Sequence, residues 1–314
     1  MAGVIAIASE TFGQKPQESG AVLSANSSDL AEAEKAYEMG FRYYRGGGDV
    51  LIDHKKAFAD FNRAAQFGLP EAQVRLAEIA NSKFGLDFLH ARDPNKALEW
   101  AKKALAGGLE AKAEAKHHRA EYELASLYLN GLALPRNYEK AAQLFERAAA
   151  HGDSDAKRAL GFLYLGGLGV PKNLRTAEKY FQEAAADRIA TAQLWLGILY
   201  HGGDKDIPKS FSKAAAMFQK AADQGLATAY DQLGNCYEKG EGVPQSYSKA
   251  AELYQRGADV GNWSAQIRLG GLYERGLGVP KDLEKAAELY RKVAEQDIKE
   301  GAEALKRLRQ PKSP

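Results

Sequence analysis

The sequence predicts an all-α fold, an α-solenoid of about seven helix–turn–helix repeats, and three recurrences predict it. The first is Leu-Gly-x-Leu-Tyr. It stands as Leu160-Gly161-Phe162-Leu163-Tyr164 and as Leu196-Gly197-Ile198-Leu199-Tyr200. It returns as Leu233-Gly234-Asn235-Cys236-Tyr237 and as Leu269-Gly270-Gly271-Leu272-Tyr273, with the glycines 36, 37 and 36 residues apart. The second is a Lys-Ala pair followed by an aromatic: Lys56-Ala57 with Phe61, Lys140-Ala141 with Phe145, Lys213-Ala214 with Phe218, Lys249-Ala250 with Tyr254 and Lys285-Ala286 with Tyr290. The third is a Gly/Pro turn between them, as in Gly167-Leu168-Gly169-Val170-Pro171, marked in five successive copies by Pro135, Pro171, Pro208, Pro244 and Pro280. A fixed period of this length is the signature of a repeat architecture. A helix pair this short cannot bury its own apolar stripe, so stacking on neighbours must complete the core.

Taken in order, residues 1–30 are Ser/Ala/Gly-rich and aperiodic and read as a flexible N-terminal tail, or as the remnant of a processed N-terminus. Residues 31–296 hold the seven repeats. Their helix pairs are predicted at 31–45/54–67, 70–82/94–107, 111–130/137–151, 154–166/173–186, 190–201/209–224, 227–239/246–260 and 263–275/281–296. Repeat one has the degenerate copy Met39-Gly40-Phe41-Arg42-Tyr43. Repeat two departs most: Ala77 replaces the glycine, Ala101 replaces the aromatic, and Phe84–Pro94 replaces the turn. The step from Ala77 to Ala125 is 48 residues, which predicts longer helices or an insertion near Leu109–Arg119. In the regular copies Gly and Ala let two helix backbones approach, and the aromatic fills the space beside them. Glycine in the turn supplies positive φ, and proline ends the first helix. Residues 297–314 are predicted as a capping helix over 297–309 followed by a basic tail.

Composition narrows the function. Lys+Arg is 43 and Asp+Glu is 41, a net charge of +2, so no global field points to nucleic acid. The single cysteine, Cys236, excludes an intramolecular disulfide and a cysteine-based zinc site. No apolar run approaches membrane-spanning length. Gly3–Ala8 is apolar but short and has no positive charge before it, a poor secretory signal. As it stands the sequence reads as cytoplasmic, or as periplasmic or secreted if an N-terminal signal has been removed.

The period, the Leu-Gly-x-Leu-Tyr helix, the Gly-x-Gly-Val turn and the Lys-Ala-Ala-x-x-Tyr helix resemble the Sel-one-like repeat family, relatives of the tetratricopeptide repeat. The resemblance covers roughly residues 31–296. It implies a right-handed superhelix whose concave surface is lined by the first helix of each pair, and an adaptor function. Bacterial members are similar to signalling scaffolds, host-interaction factors and immunity proteins that neutralise secreted toxins.

Counting from the aligned glycine at about 100° per residue, positions −5, −1, 0, +2 and +3 of each first helix form one apolar arc. Positions −2, +1 and +4 form the opposite arc, expected to be solvent-facing or concave. In repeats one and two these are Glu38, Phe41, Tyr44, Arg75, Glu78 and Asn81, and in repeats six and seven Gln232, Asn235, Glu238, Arg268, Gly271 and Glu274. Most are ordinary solvated choices. The middle repeats differ, with Leu129, then Phe162 and Leu165, then Trp195, Ile198 and His201. An apolar strip on a face expected to be wet is a candidate interaction patch, and Trp is a common hot-spot residue. The same side chains could instead cover a neighbouring helix in the stack.

Other signals carry less. The Gly-rich turns lack a Gly-Lys-Ser/Thr ending and a preceding strand, so they are not phosphate loops. His117-His118 resembles a metal pair, but adjacent helical residues point about 100° apart and spacing places no third ligand. Cys236 sits at the apolar +2 position, as a small core residue. Basic residues Lys306, Arg307, Arg309 and Lys312 suit a helix C-terminus without nucleic acid. No catalytic, cofactor-binding or metal residues are assigned, and no cofactor. The expected partner is another protein, a secreted effector or a signalling component. The alternatives are an immunity or inhibitor protein, or a small-ligand regulator or enzyme. A shaped pocket with convergent polar groups favours the last; a broad groove with an exposed apolar strip favours the scaffold.

Overall fold

The computed structural model describes residues 27–46, 50–81 and 92–309. Among them the chain is helical from end to end. Seven pairs stack in order: α1 (Ser27–Arg45) with α2 (His54–Gln66), α3 (Pro70–Asn81) with α4 (Pro94–Ala106), then α6 (His118–Asn130) with α7 (Tyr138–Ala150). They continue as α8 (Ser154–Gly166) with α9 (Leu174–Ala186), α10 (Ala190–Gly202) with α11 (Phe211–Asp223), α12 (Ala227–Lys239) with α13 (Tyr247–Asp259), and α14 (Trp263–Arg275) with α15 (Leu283–Ala294). A short helix α5 (Leu109–Glu114) precedes the third pair, and α16 (Lys299–Arg309) follows the last. On α16, Ala304 is buried with Ala286 and Tyr290, and Leu305 and Leu308 pack against them.

Two expectations need correcting. The predicted helix over 111–130 is two helices: α5 ends at a C-cap on Ala115, and Lys116 turns the chain with φ +62° before α6 begins. This is where the 48-residue step is absorbed. Helix α1 starts at Ser27, four residues into the stretch assigned to the tail. The predicted tail over 1–26 and most of the altered turn over 84–94 lie outside the described residues. A β-carbon makes the left-handed conformation of Lys116 costly by about 1–2 kcal/mol. Lys116 is exposed, so Lys116→Gly is expected to raise the urea midpoint, by roughly 1 kcal/mol of stability.

Packing within a pair explains the two main motifs. A β-carbon on Gly40, Gly161, Gly197, Gly234 or Gly270 would overlap the ring of Phe61, Phe181, Phe218, Tyr254 or Tyr290 respectively. Each of those rings is almost wholly buried. The glycine and the aromatic are thus two halves of one contact. Repeat two, which lacks the aromatic, carries a methyl at both places: Ala77 and Ala101 are fully buried in the same core.

Two further regularities hold each turn. The second helix of every pair is N-capped by Asp53, Asp93, Asn137, Asn173, Ser210, Ser246 or Asp282, whose side chain accepts from a backbone N–H three residues on. In six pairs the capping residue's own N–H donates to the carbonyl of the motif tyrosine, as Asn137 does to Tyr128 at 3.0 Å. The motif lysine lies over that tyrosine's ring, 4.4–5.4 Å from the centroid, in Lys56–Tyr43, Lys140–Tyr128, Lys213–Tyr200, Lys249–Tyr237 and Lys285–Tyr273. Repeat four has Thr176 instead, and there Tyr164 stacks on Tyr180 at 5.7 Å.

The stack curls far enough for its first repeat to meet its fifth. The N–H of Ile52, before α2, donates to the carbonyl of Gln224, after α11, at 3.1 Å. A β-carbon on Gly46 would touch the Gln224 side chain as well.

Candidate functional site

The inner surface is defined by what faces a common space. A cavity of about 570 Å³ is lined by Tyr44, Arg75, Glu78 and Asn81 from the −2, +1 and +4 positions of repeats one and two, and by Asn130, Asp155, Arg158 and Thr191 from repeats three to five. Those helix faces therefore look inward, as the concave arc should.

In repeats one to three part of that arc is buried, contrary to the wheel, although Glu38 stays exposed. Phe41 and Glu123 are fully buried, and Arg75 and Ser126 nearly so. Helices α1, α3 and α6 converge there and bury charge in pairs. Arg75 Nε donates to Glu123 Oε2 at 2.8 Å, and its Nη1 lies 2.7 Å from Glu78. Tyr37 Oη donates to the same Glu123 at 2.6 Å. The Arg75 guanidinium lies 5.3 Å from the Phe41 ring centroid and 4.9 Å from that of Tyr122. Burial works against its charge, but Glu123 and Glu78 outweigh it and hold Arg75 charged. Such pairs confer geometry more than net stability, because desolvation offsets much of the attraction.

The neighbouring group is Asp153, the N-cap of α8. Arg119 Nη1 donates to it at 2.9 Å, His118 Nδ1 lies 3.4 Å away, and the Ala156 N–H caps onto it. Burial raises the Asp153 carboxyl, but the His118 hydrogen bond and the Arg119 charge prevail and hold it below its ordinary value. In the unfolded chain it titrates near 4. With the folded value lower, ionised Asp153 stabilises the fold above pH about 4, and that contribution is lost as pH falls through the folded value. Groups such as Asp231, raised by burial, act in the opposite sense. The comparison that isolates Asp153 is with Asp153→Asn, which is expected to be less stable at neutral pH and to lose less of its stability on acidification.

The predicted strip lies next to this region. All six side chains are half-buried. Phe162 meets Trp195 edge to face at 5.0 Å, and both rest on the buried Phe181 ring, at 5.3 and 6.4 Å. Leu165 and Ile198 pack against the same core, and Leu129 against the core of the preceding repeats. His201 is not simply part of an apolar strip: its Nε2 is 2.8 Å from Glu241, and its ring meets Phe211 at 5.2 Å. Beyond it, the concave face of repeats six and seven is a ladder of paired charges. Arg268 meets Asp231 at 2.9 Å, Arg275 meets Glu238 at 3.0 Å, and Arg307 from α16 meets Glu274 at 3.0 Å.

The signals set aside find places. Cys236 is fully buried, and burial with nearby Glu241 pushes its thiol up to about 11, so it stays protonated and unreactive. His117 precedes α6 rather than lying in it, so the reason given for separating the two histidines does not hold; their rings stack in parallel at 5.8 Å. They face Glu71 and Asp153 respectively. Among the described residues no group of three His, Cys, Asp or Glu could hold a metal, and no helix is long and apolar enough to cross a membrane. Arg307 of the predicted basic tail is engaged with Glu274, and Lys312 lies outside the described residues.

Comparison with known proteins places the chain. The Sel1 repeat model matches seven times, at residues 36–66, 70–109, 118–153, 154–187, 190–226, 227–262 and 263–298. A crystal structure of a Sel1 repeat protein from Oxalobacter formigenes is 27% identical, with a TM-score of 0.59 over 88% of this chain and 76% of that one. A protective antigen present in uropathogenic Escherichia coli strains, displaying an SLR fold, is 28% identical with a TM-score of 0.58, over 91% of this chain and 58% of that one. Among curated proteins, a chitin synthase regulator, SKT5, from Malassezia restricta is 28% identical over 138 residues, which is 44% of this chain and only 9% of that protein.

Proposed function

Because this chain belongs to the Sel1 repeat family, we propose that it is a protein-binding scaffold whose partner lies along the concave face of repeats three to five. The contact residues are Leu129, Phe162, Leu165, Trp195 and Ile198, with His201 at the edge. The observation that carries this reading is the contrast along one face. Charged side chains on either side of the strip meet partners of opposite sign, whereas between them a Trp and a Phe are partly exposed at inward-facing positions. Aromatic side chains at the centre of a patch ringed by polar groups are the usual anatomy of a hot spot.

The test is capture from the source cell by the tagged chain, beside a variant carrying Leu165→Glu and Ile198→Glu. The wild type is expected to retain a protein that the variant loses, with both chains folded. Identical partners on both would contradict the reading. A toxin among the lost proteins would narrow the scaffold to an inhibitor. The polar cavity supports a second reading, a small-ligand regulator, and a ligand held there would survive the Leu165→Glu and Ile198→Glu changes.

A further inference from the structure

Repeat one reaches past its neighbour. Tyr37 Oη donates to Glu123 of repeat three at 2.6 Å, Glu38 meets Arg119 of repeat three at 3.5 Å, and the Phe41 and Tyr122 rings lie edge to face at 6.5 Å. Arg45 meets Asp155 of repeat four at 2.9 Å. Later in the stack the paired charges His201–Glu241, Arg268–Asp231 and Arg275–Glu238 each join a repeat to the next one. The first repeats are wound more tightly than the last. At the centre of that winding stands Arg75 of repeat two, its guanidinium between the Phe41 ring of repeat one and the Tyr122 ring of repeat three. The Arg75 fork closes on Oε2 of Glu123 while the Tyr37 hydroxyl takes Oε1. One buried carboxylate thus ties three repeats together. Burial pushes that carboxyl upward, against the pull of Arg75, and an apolar cluster of the same volume would be about as stable or more so. What the ionic cluster adds is direction: apolar burial has none, whereas a guanidinium on a carboxylate fixes geometry.

We propose that the Arg75–Glu123–Tyr37 cluster is a winding pin: it sets the curvature of the first three repeats, and with it the width of the inner groove, rather than the stability of the fold. Repeat two has a methyl at both motif places and is followed by α5. No ring seated on a glycine fixes its angle, and the cluster takes that part. Such a pin acts on the groove whichever partner lies in it. With the pin cut, repeat one lifts away from repeat five, where Ile52 now meets Gln224.

The experiment measures the distance between two nitroxide labels on the full chain, together with the urea midpoint. The labels sit at Lys55→Cys on α2 and Lys220→Cys on α11, both exposed positions; Cys236 is fully buried and is left in place. The labelled parent is expected to give one narrow distance distribution. Tyr37→Phe, Arg75→Met and Glu123→Leu made together should lengthen or broaden it by about one helix width, roughly 10 Å. Glu123→Leu alone leaves the buried Arg75 with Glu78, so its urea midpoint should fall, and that of the triple variant should lie well above it. Should the new apolar cluster pack too poorly to fold, Tyr37→Phe with Glu38→Gln decides. That pair cuts both polar links from repeat one to repeat three, leaves Arg75 on Glu123, and should broaden the same distribution. An unchanged distribution in a folded triple variant, or in the Tyr37→Phe, Glu38→Gln chain, would overturn the proposal. A folded triple variant with a midpoint as low as that of Glu123→Leu would overturn it too, because the cluster would then support the fold rather than its shape.

Discussion

Gly242→Ala is expected to lower the stability of this chain by about 2–5 kcal/mol, from two costs that act together. Gly242 has φ +77°, a left-handed conformation that costs an alanine about 1–2 kcal/mol. Its β-carbon would also run into the backbone of Phe211 and Ser212. These residues open α11, the second helix of the preceding repeat, so the turn of repeat six is seated on repeat five at this point. Backbone cannot swing aside as a side chain can, so the overlap adds an overpacking cost of about 1–3 kcal/mol. Gly169 and Gly278 stand in the same relation to Tyr138 and Tyr247, one repeat earlier in each case. The control is Gly240→Ala. Gly240 has φ +72°, but its nearest neighbour would be the β-carbon of Gln245 at 3.2 Å, within its own turn. That variant should bear the conformational cost with little of the overlap. In a solenoid, neighbour interfaces carry the cooperativity, so Gly242→Ala should also broaden the urea transition or split it between repeats five and six. Equal midpoints for the two variants would show that the turn does not seat one repeat on the next.

Much of this architecture could be read from spacing. The Gly–aromatic contact repeats with the period, so a periodic signal found it. The seven N-caps and the Lys–Tyr contacts are equally periodic, and Asp, Asn or Ser stands three residues before the motif lysine in every regular copy. Other features leave no periodic trace. The hydrogen bond from Ile52 to Gln224 joins residues in repeats one and five, and nothing local to either marks it. Arg75 and Glu123 occupy positions that a wheel drawn on one helix assigns to solvent. Their burial arises because α1, α3 and α6 converge, and that convergence follows from the irregular second repeat with its inserted α5. For the same reason no local pattern marks the cavity: its lining comes from five repeats, and Arg45 and Arg158 acquire a shared partner only once the stack has curled.

The middle strip was legible as a departure from the polar pattern, but whether its aromatics stack or bind was not. The structure gives them some of each character, since Trp195 is partly exposed and also lies on Phe181. The measurement that tests the central claim most directly is therefore the affinity and the melt of Trp195→Ala, taken together on the captured partner. A fully buried Trp→Ala change costs about 3–5 kcal/mol of folding free energy; Trp195 is only partly exposed and the greater part of its surface is covered, so we expect about 2–3 kcal/mol. For the binding hot spot we expect a loss of about 2–4 kcal/mol in affinity, roughly 30-fold to 1000-fold. A variant that stays folded at the assay temperature, melts several degrees lower and binds at least 30-fold more weakly is the predicted result. A large fall in melting temperature, with the folded protein's affinity unchanged, would contradict the account and make Trp195 a stacking residue.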